Sequence, residues 1–130
     1  MNDHKVRVIL VEDHELFRKM FKEFINNVDG CEVVAEAKCG IEAIHAIQTV
    51  NADLVVLDFF LPRLNGLSVL KESKKTSSIK ILVVTMSSDP VIVQQARDAG
   101  ADGICMKDKG HSVLEKAIIE TLEGKKPEYV

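Results

Sequence analysis

Five short runs of Val, Ile and Leu, separated by stretches with helical spacing, constrain this chain more than any other feature in it. The runs are Val6–Val11, Glu32–Ala37, Leu54–Leu57, Ile79–Thr85 and Gly103–Met106. They are short, and most are nearly continuous in apolar residues, as expected of strands covered on both faces. Between them apolar residues recur every three to four positions. The clearest case is His14–Val28, where Leu16, Phe17, Met20, Phe21, Phe24, Ile25 and Val28 form one face. Shorter helices are predicted over Ile41–Val50 and Leu67–Lys74. Asp89-Pro90 offers an N-cap and a first-turn proline to a fourth helix that Gly100 closes, and His111–Leu122 is the fifth, ending at Gly124.

Strict strand–helix alternation implies a parallel sheet with helices on both faces. Right-handed crossovers leave two main arrangements, the Rossmann order and the flavodoxin-like order 2-1-3-4-5. No G-x-G-x-x-G turn follows the first strand, which favours the second. The expected fold is therefore α/β, a three-layer doubly wound five-stranded parallel sheet of flavodoxin-like order. It occupies residues 1–124, and the polar residues 125–130 read as the start of a linker or tail. A chain of 130 residues suits one such domain.

In this architecture ligands bind at the carboxyl ends of the strands. Strand one runs into Glu12-Asp13, strand three into Asp58, strand four ends in Thr85 and strand five meets Lys107. Strands one and three are neighbours in the 2-1-3-4-5 order, so Asp13 and Asp58 are expected to come together with Glu12 close by. Each residue alone has an ordinary explanation: a helix cap, a turn, a strand end, a solvated lysine. Their joint placement on four strand ends of one edge does not. Clustered carboxylates call for a hard divalent cation, and Mg²⁺ suits a site with few carboxylates and phosphate oxygens nearby. A hydroxyl and an ammonium alongside suit phosphoryl oxygens. Together these groups describe a phosphoryl-transfer site.

Bulk properties narrow the alternatives. The net charge of −3 gives no basic field across the chain for nucleic acid. Cys31, Cys39 and Cys105 form no C-x-x-C pair and are odd in number, so a reduced, cytoplasmic protein with thiols as small core residues is expected. No apolar stretch approaches the ~20 residues that cross a membrane. The histidines show no metal-binding spacing, His14 reads as an exposed first-turn residue, and the phenylalanines of the first helix read as packing.

The segments "ILVEDHELFR", "DLVVLDFFLPRLNGL", "ILVVTMSSD" and "AGADGICMKD" resemble the receiver domains of two-component response regulators, the CheY-like superfamily, from Val6 to about Gly124. The resemblance implies that Asp58 takes a phosphoryl group from a sensor histidine kinase. It implies that Glu12, Asp13, Asp58 and the backbone carbonyl of Phe60 hold Mg²⁺. Thr85 would hydrogen-bond a phosphoryl oxygen, Lys107 would pair with another, and Thr85 with Ile104 would form the switch. Such a domain is a phosphoacceptor that promotes its own Mg²⁺-dependent phosphorylation and slow dephosphorylation, without being an enzyme in the usual sense.

"GADGICMKD" further resembles the LuxR-type branch, whose receivers precede a DNA-binding helix-turn-helix. This implies transcription regulation through a C-terminal domain absent from this chain, with homodimer formation on phosphorylation. The alternative is a free-standing receiver acting on a protein partner. Two positions depart from the common pattern: Asp108 stands where many members have proline after the lysine, and Ile104 where an aromatic often sits. A haloacid-dehalogenase-type phosphatase, which also uses a strand-end aspartate, needs a second acid two residues later, and that position is Phe60.

Overall fold

Alternate residues along each strand point to opposite layers, and the two halves of the core follow from that. In the computed structural model, which describes residues 5–130, Val8 and Leu10 of β1 (Val6–Val11) pack with Phe21 and Ile25 of α1 (Glu15–Asn26) and with Leu114, Ala117 and Ile118 of α5 (His111–Leu122). Ile9 and Val11 of the same strand face the other way. They join Ala43 and Ala46 of α2 (Gly40–Thr49), Val69 and Leu70 of α3 (Gly66–Thr76), and Val93 and Ala96 of α4 (Pro90–Asp98). Thus α1 and α5 cover one face of the sheet and α2, α3 and α4 the other. The remaining strands are β2 (Cys31–Ala37), β3 (Leu54–Asp58), β4 (Lys80–Thr85), β5 (Gly103–Met106) and β6 (Glu128–Tyr129).

The sheet runs β2-β1-β3-β4-β5-β6 and every pairing is parallel. The expected order 2-1-3-4-5 is present, but the sheet has a sixth strand. The segment read as a polar tail turns at Gly124 and Lys126, both at positive φ (81° and 51°), and lays Glu128 and Tyr129 beside Ile104 and Cys105. Two residues of strand flanked by Lys-Lys-Pro carry no periodic signal, which is why the sequence reads as tail there. Contacts from both covering helices hold the segment. Arg97 of α4 donates to Glu128 (Nε to Oε2, 2.6 Å), and the Tyr129 hydroxyl donates to Glu120 of α5.

The helix limits move by a few residues from those expected, and the caps explain them. His14 lies outside α1 as its N-cap, its Nδ1 accepting from the Phe17 N–H at 3.3 Å. Asp89 caps α4 by accepting from Val91 N–H at 2.9 Å, with Pro90 in the first turn. A short 3₁₀ turn, Lys107–Lys109, joins β5 to α5. The Lys107–Asp108 peptide is trans, as are all described peptide bonds. The three cysteines are buried free thiols, as expected.

Candidate functional site

The end of β1 is held from three sides, and this is what presents its acids. Glu12 N–H donates to Ala37 O (3.0 Å), and Arg18, one turn into α1, donates from Nη1 to Glu12 O (3.2 Å). The Glu12 side chain, fully buried, accepts from His14 N–H at 3.0 Å through Oε2. Its neighbour Asp13 is exposed. On the adjacent strand β3, Asp58 is 2 % exposed. Glu12, Asp13 and Asp58 each bring a carboxylate oxygen within 4.8 Å of the others. The side chains predicted at the switch point therefore do converge.

Lys107 reaches into this cluster from the end of β5. Its Nζ lies 2.5 Å from Glu12 Oε1 and donates to Asp58 Oδ2 at 3.0 Å, with only 7 % of the side chain exposed. The second Asp58 oxygen accepts from Phe60 N–H at 3.1 Å. Burial, and after it the charge of Glu12, push the Asp58 carboxyl up to about 7, against the lowering pull of Lys107. Burial alone would lower the Lys107 ammonium, but its bonds to Glu12 and Asp58 outweigh that and the net shift is upward. With all three carboxylates ionised, one ammonium would leave the cluster two charges short of neutrality. That is the charge of a divalent cation, and an all-oxygen donor set suits Mg²⁺.

The loop after Asp58 is built by close backbone approach. A Cβ on Gly66, at the start of α3, would lie 2.5 Å from Phe59 O and 2.7 Å from Asp58 O, so only glycine lets the helix begin against the backbone of the acid. Gly40 plays the same part on α2, where a Cβ would lie 1.8 Å from Leu64 O. The first N–H groups of α2, those of Gly40 and Ile41, donate to Pro62 O (3.3 Å) and Arg63 O (3.1 Å). These bonds help hold Arg63 and Leu64 in the left-handed region (φ 49° and 85°), which costs a non-glycine residue roughly 1–3 kcal/mol.

Thr85 and Ile104 stand beside this cluster rather than in it. Thr85 is one residue beyond Val84, the register partner of Asp58, and its buried hydroxyl oxygen accepts from Ser87 N–H at 3.1 Å. Accepting leaves the hydroxyl proton available to donate. Ile104 is buried in the half of the core under α4, and its N–H donates to Pro127 O at 2.9 Å. Phe60, half-exposed, stacks edge-on against Phe59.

One neighbour of the cluster was read from sequence as packing only. The ring of Phe17 lies 5.1 Å from Lys107 Nζ, with the ammonium over its face. Phe17 is one helical turn beyond Asp13, and that spacing places it on the same edge of the sheet. The helical periodicity alone could not separate this from burial in the core.

Residues 8–119 match the family described as the response regulator receiver domain. The chain belongs to that family. This receiver is 32% identical to the nitrate/nitrite response regulator protein NarL of Escherichia coli (strain K12) over 124 residues, 95% of this chain and 57% of that protein. It is 26% identical to the transcriptional regulatory protein DegU of Brevibacillus brevis over 125 residues, 95% of this chain and 53% of that one. The receiver thus spans about half the length of these curated relatives. Among solved structures, the signal receiver domain of the putative response regulator NarL from Mycobacterium tuberculosis superimposes with a TM-score of 0.88 at 30% identity. That match covers 93% of this chain and 98% of that one. A DNA-binding response regulator of the LuxR family from Staphylococcus aureus gives 0.85 at 27% identity, covering 90% of this chain and 98% of that one. The described residues include no helix long and apolar enough to cross a membrane.

Proposed function

We propose that this receiver takes a phosphoryl group from the phosphohistidine of a sensor histidine kinase onto Asp58. The observation that carries the reading is the buried Asp58 carboxyl, shared between the Lys107 ammonium and the acids Glu12 and Asp13. The carboxylates of Glu12, Asp13 and Asp58, with the Phe60 carbonyl, would hold Mg²⁺. The bound cation supplies positive charge that lets an anionic nucleophile meet an anionic phosphoryl group. An Asp58 oxygen forms a bond to phosphorus as the phosphorus–nitrogen bond to the kinase imidazole breaks, the electron pair leaving on that nitrogen. Lys107 exchanges a carboxylate for a phosphoryl oxygen, and Thr85 donates its hydroxyl proton to another. The acyl phosphate is later lost slowly to water.

Phosphorylation would add charge at the end of β3, next to the ends of β4 and β5 that carry Thr85 and Lys107. The responding surface in this reading is α4, β5 and α5, with Ile104 following Thr85 by backbone movement. Its output is homodimer formation in the cytoplasm and transcription control through a DNA-binding domain joined on the C-terminal side. The kinship with a transcriptional regulatory protein and a LuxR-family DNA-binding regulator supports this reading.

Intact mass after incubation with acetyl phosphate and Mg²⁺ tests the proposal. One phosphoryl mass is expected on the wild type, none on Asp58→Asn, and little in EDTA. Equal labelling of the Asn variant would exclude Asp58 as the acceptor.

A further inference from the structure

An ammonium has three donor hydrogens, and the Lys107 ammonium has two carboxylate neighbours, Asp58 Oδ2 at 3.0 Å and Glu12 Oε1 at 2.5 Å. The Phe17 ring also lies against it, 5.1 Å from Nζ to centroid. That ring is itself held. The His14 imidazole meets it edge-on at 5.2 Å and Phe21 lies against it at 5.8 Å. His14 also caps the helix that carries Phe17.

We propose that Phe17 is a positioning residue for phosphoryl transfer, acting through Lys107. The inference rests on the reading of Asp58 as the phosphoacceptor. An aromatic face attracts a cation by its quadrupole but offers no oxygen or nitrogen lone pair. It therefore keeps the ammonium at the mouth of the site without competing for the hydrogen bonds that a phosphoryl oxygen must receive. A carboxylate in the same place would hold Lys107 back from the incoming group. An aliphatic side chain would fill the volume and leave the charge unsupported, so Lys107 would spend part of its time turned toward water. The ring thus matters while Lys107 lets go of Asp58 and Glu12 and takes up the new oxygen.

The test compares Phe17→Leu, which keeps apolar bulk, with Phe17→Tyr, which keeps the ring. Each is made in the wild-type and in the Lys107→Ala background, and the initial rate of labelling by acetyl phosphate with Mg²⁺ is measured by intact mass. Phe17→Leu is expected to label about threefold to tenfold more slowly, and Phe17→Tyr to label within about twofold of wild type. In the Lys107→Ala background the Leu substitution should cause no further loss. A second readout needs no phosphorylation: the Lys107 side-chain CεH₂ resonance, shifted by the ring current, should move toward its random-coil position in Phe17→Leu and hold in Phe17→Tyr. If Phe17→Leu is poorly folded by its melting curve, Phe17→Met replaces it.

Equal rates for Leu and wild type overturn the proposal, and so does an equal loss with and without Lys107, which would mark a role in packing alone. Failure of the wild type to label at all would instead overturn the assignment of Asp58. In that case the Lys107 resonance still decides whether the ring holds the ammonium, and an unmoved resonance in Phe17→Leu overturns the inference.

Discussion

Among the described residues an acid–lysine cluster stands at each edge of the sheet, and the two are built on opposite terms. At the amino edge, before β5, Asp102 receives the Lys74 ammonium at 2.5 Å and the Ile81 N–H at 2.8 Å. Lys74 donates in addition to Ile79 O at 3.0 Å. One acid meets one base, and the surrounding backbone takes up what remains. At the carboxyl edge Glu12 and Asp58 share Lys107, Asp13 adds a third carboxylate, and burial with repulsion from Glu12 holds Asp58 up to about 7. Burial alone does not separate them, since 8 % of Asp102 and 2 % of Asp58 are exposed. The difference is charge balance. A neutral pair joins α3 to the β4–β5 edge, whereas the cluster at the carboxyl edge carries an excess of negative charge.

Exchanging a single oxygen for nitrogen at each edge should separate the two roles most clearly. Asp13→Asn removes a carboxylate from the unbalanced cluster without touching the core. Mg²⁺ affinity, read by calorimetry, should fall by about tenfold or more, on the scale of losing one charged ligand, while the melting temperature in EDTA stays close to wild type. Asp102→Asn should do the reverse. Removing one partner of a buried pair leaves the other charge uncompensated, and a loss of about 2–4 kcal/mol is expected from urea unfolding, with Mg²⁺ affinity of the folded protein unchanged. A large loss of Mg²⁺ binding in Asp102→Asn would mean that the two clusters do not divide stability from metal binding.

The carboxyl edge was legible because its chemistry sits where strand patterning points. Once five apolar runs set the order 2-1-3-4-5, Glu12, Asp13, Asp58 and Lys107 had one edge available to them, and there they stand. The amino edge was not legible. Asp102 and Lys74 are 28 residues apart, and each lies at the border of an element where a charged residue looks solvated. The same limit hid β6, whose two residues are held by side chains from α4 and α5 rather than by a pattern of their own. Phe17 shows a third kind of loss. Its place in an amphipathic helix was read correctly, but periodicity assigns a face and says nothing of a cation arriving from another strand.

An imbalance of charge should also be visible as a cost in the metal-free protein. The Asp58 carboxyl is raised from an ordinary carboxylate value to about 7, so the folded state binds its proton more tightly than the unfolded chain does. Stability is then fully present below about pH 4, is lost as the pH rises through about 7, and stays lost above it. Asp58→Asn, which carries no charge, escapes this. In EDTA its advantage over wild type should be near zero at pH 4, grow between pH 4 and 7, and level off above. The full shift would correspond to roughly 4 kcal/mol. The Lys107 contact that the substitution also removes reduces the expected gain to about 1–3 kcal/mol. Parallel urea curves at pH 4.5 and 8 measure it. A variant less stable than wild type at pH 8 would mean that the cluster is as balanced as the Asp102 pair.

The smallest effect is expected at β6, where the sheet ends in an exposed ion pair. Arg97 and Glu128 are 45 % and 33 % exposed, so their attraction competes with water and salt. Glu128→Gln should lower global stability by less than about 1 kcal/mol. Its local effect should be larger than its global one, because the β6 segment takes the Ile104 N–H through Pro127 O. Amide exchange at Ile104 is expected to quicken several-fold in Glu128→Gln, while the β1 and β3 amides keep their rates. The same short β5 carries Ile104 against β6 and delivers Lys107 to Asp58, so loosening one side tests how stiffly the other is held. With beryllofluoride and Mg²⁺ occupying the Asp58 site, wild-type exchange should change at Met86–Ala99 and at Ile104. Glu128→Gln should widen the change at Ile104 and leave that on α4 in place. If neither segment responds in either protein, β5 does not carry the signal, and the charge imbalance at the carboxyl edge stays local to its site.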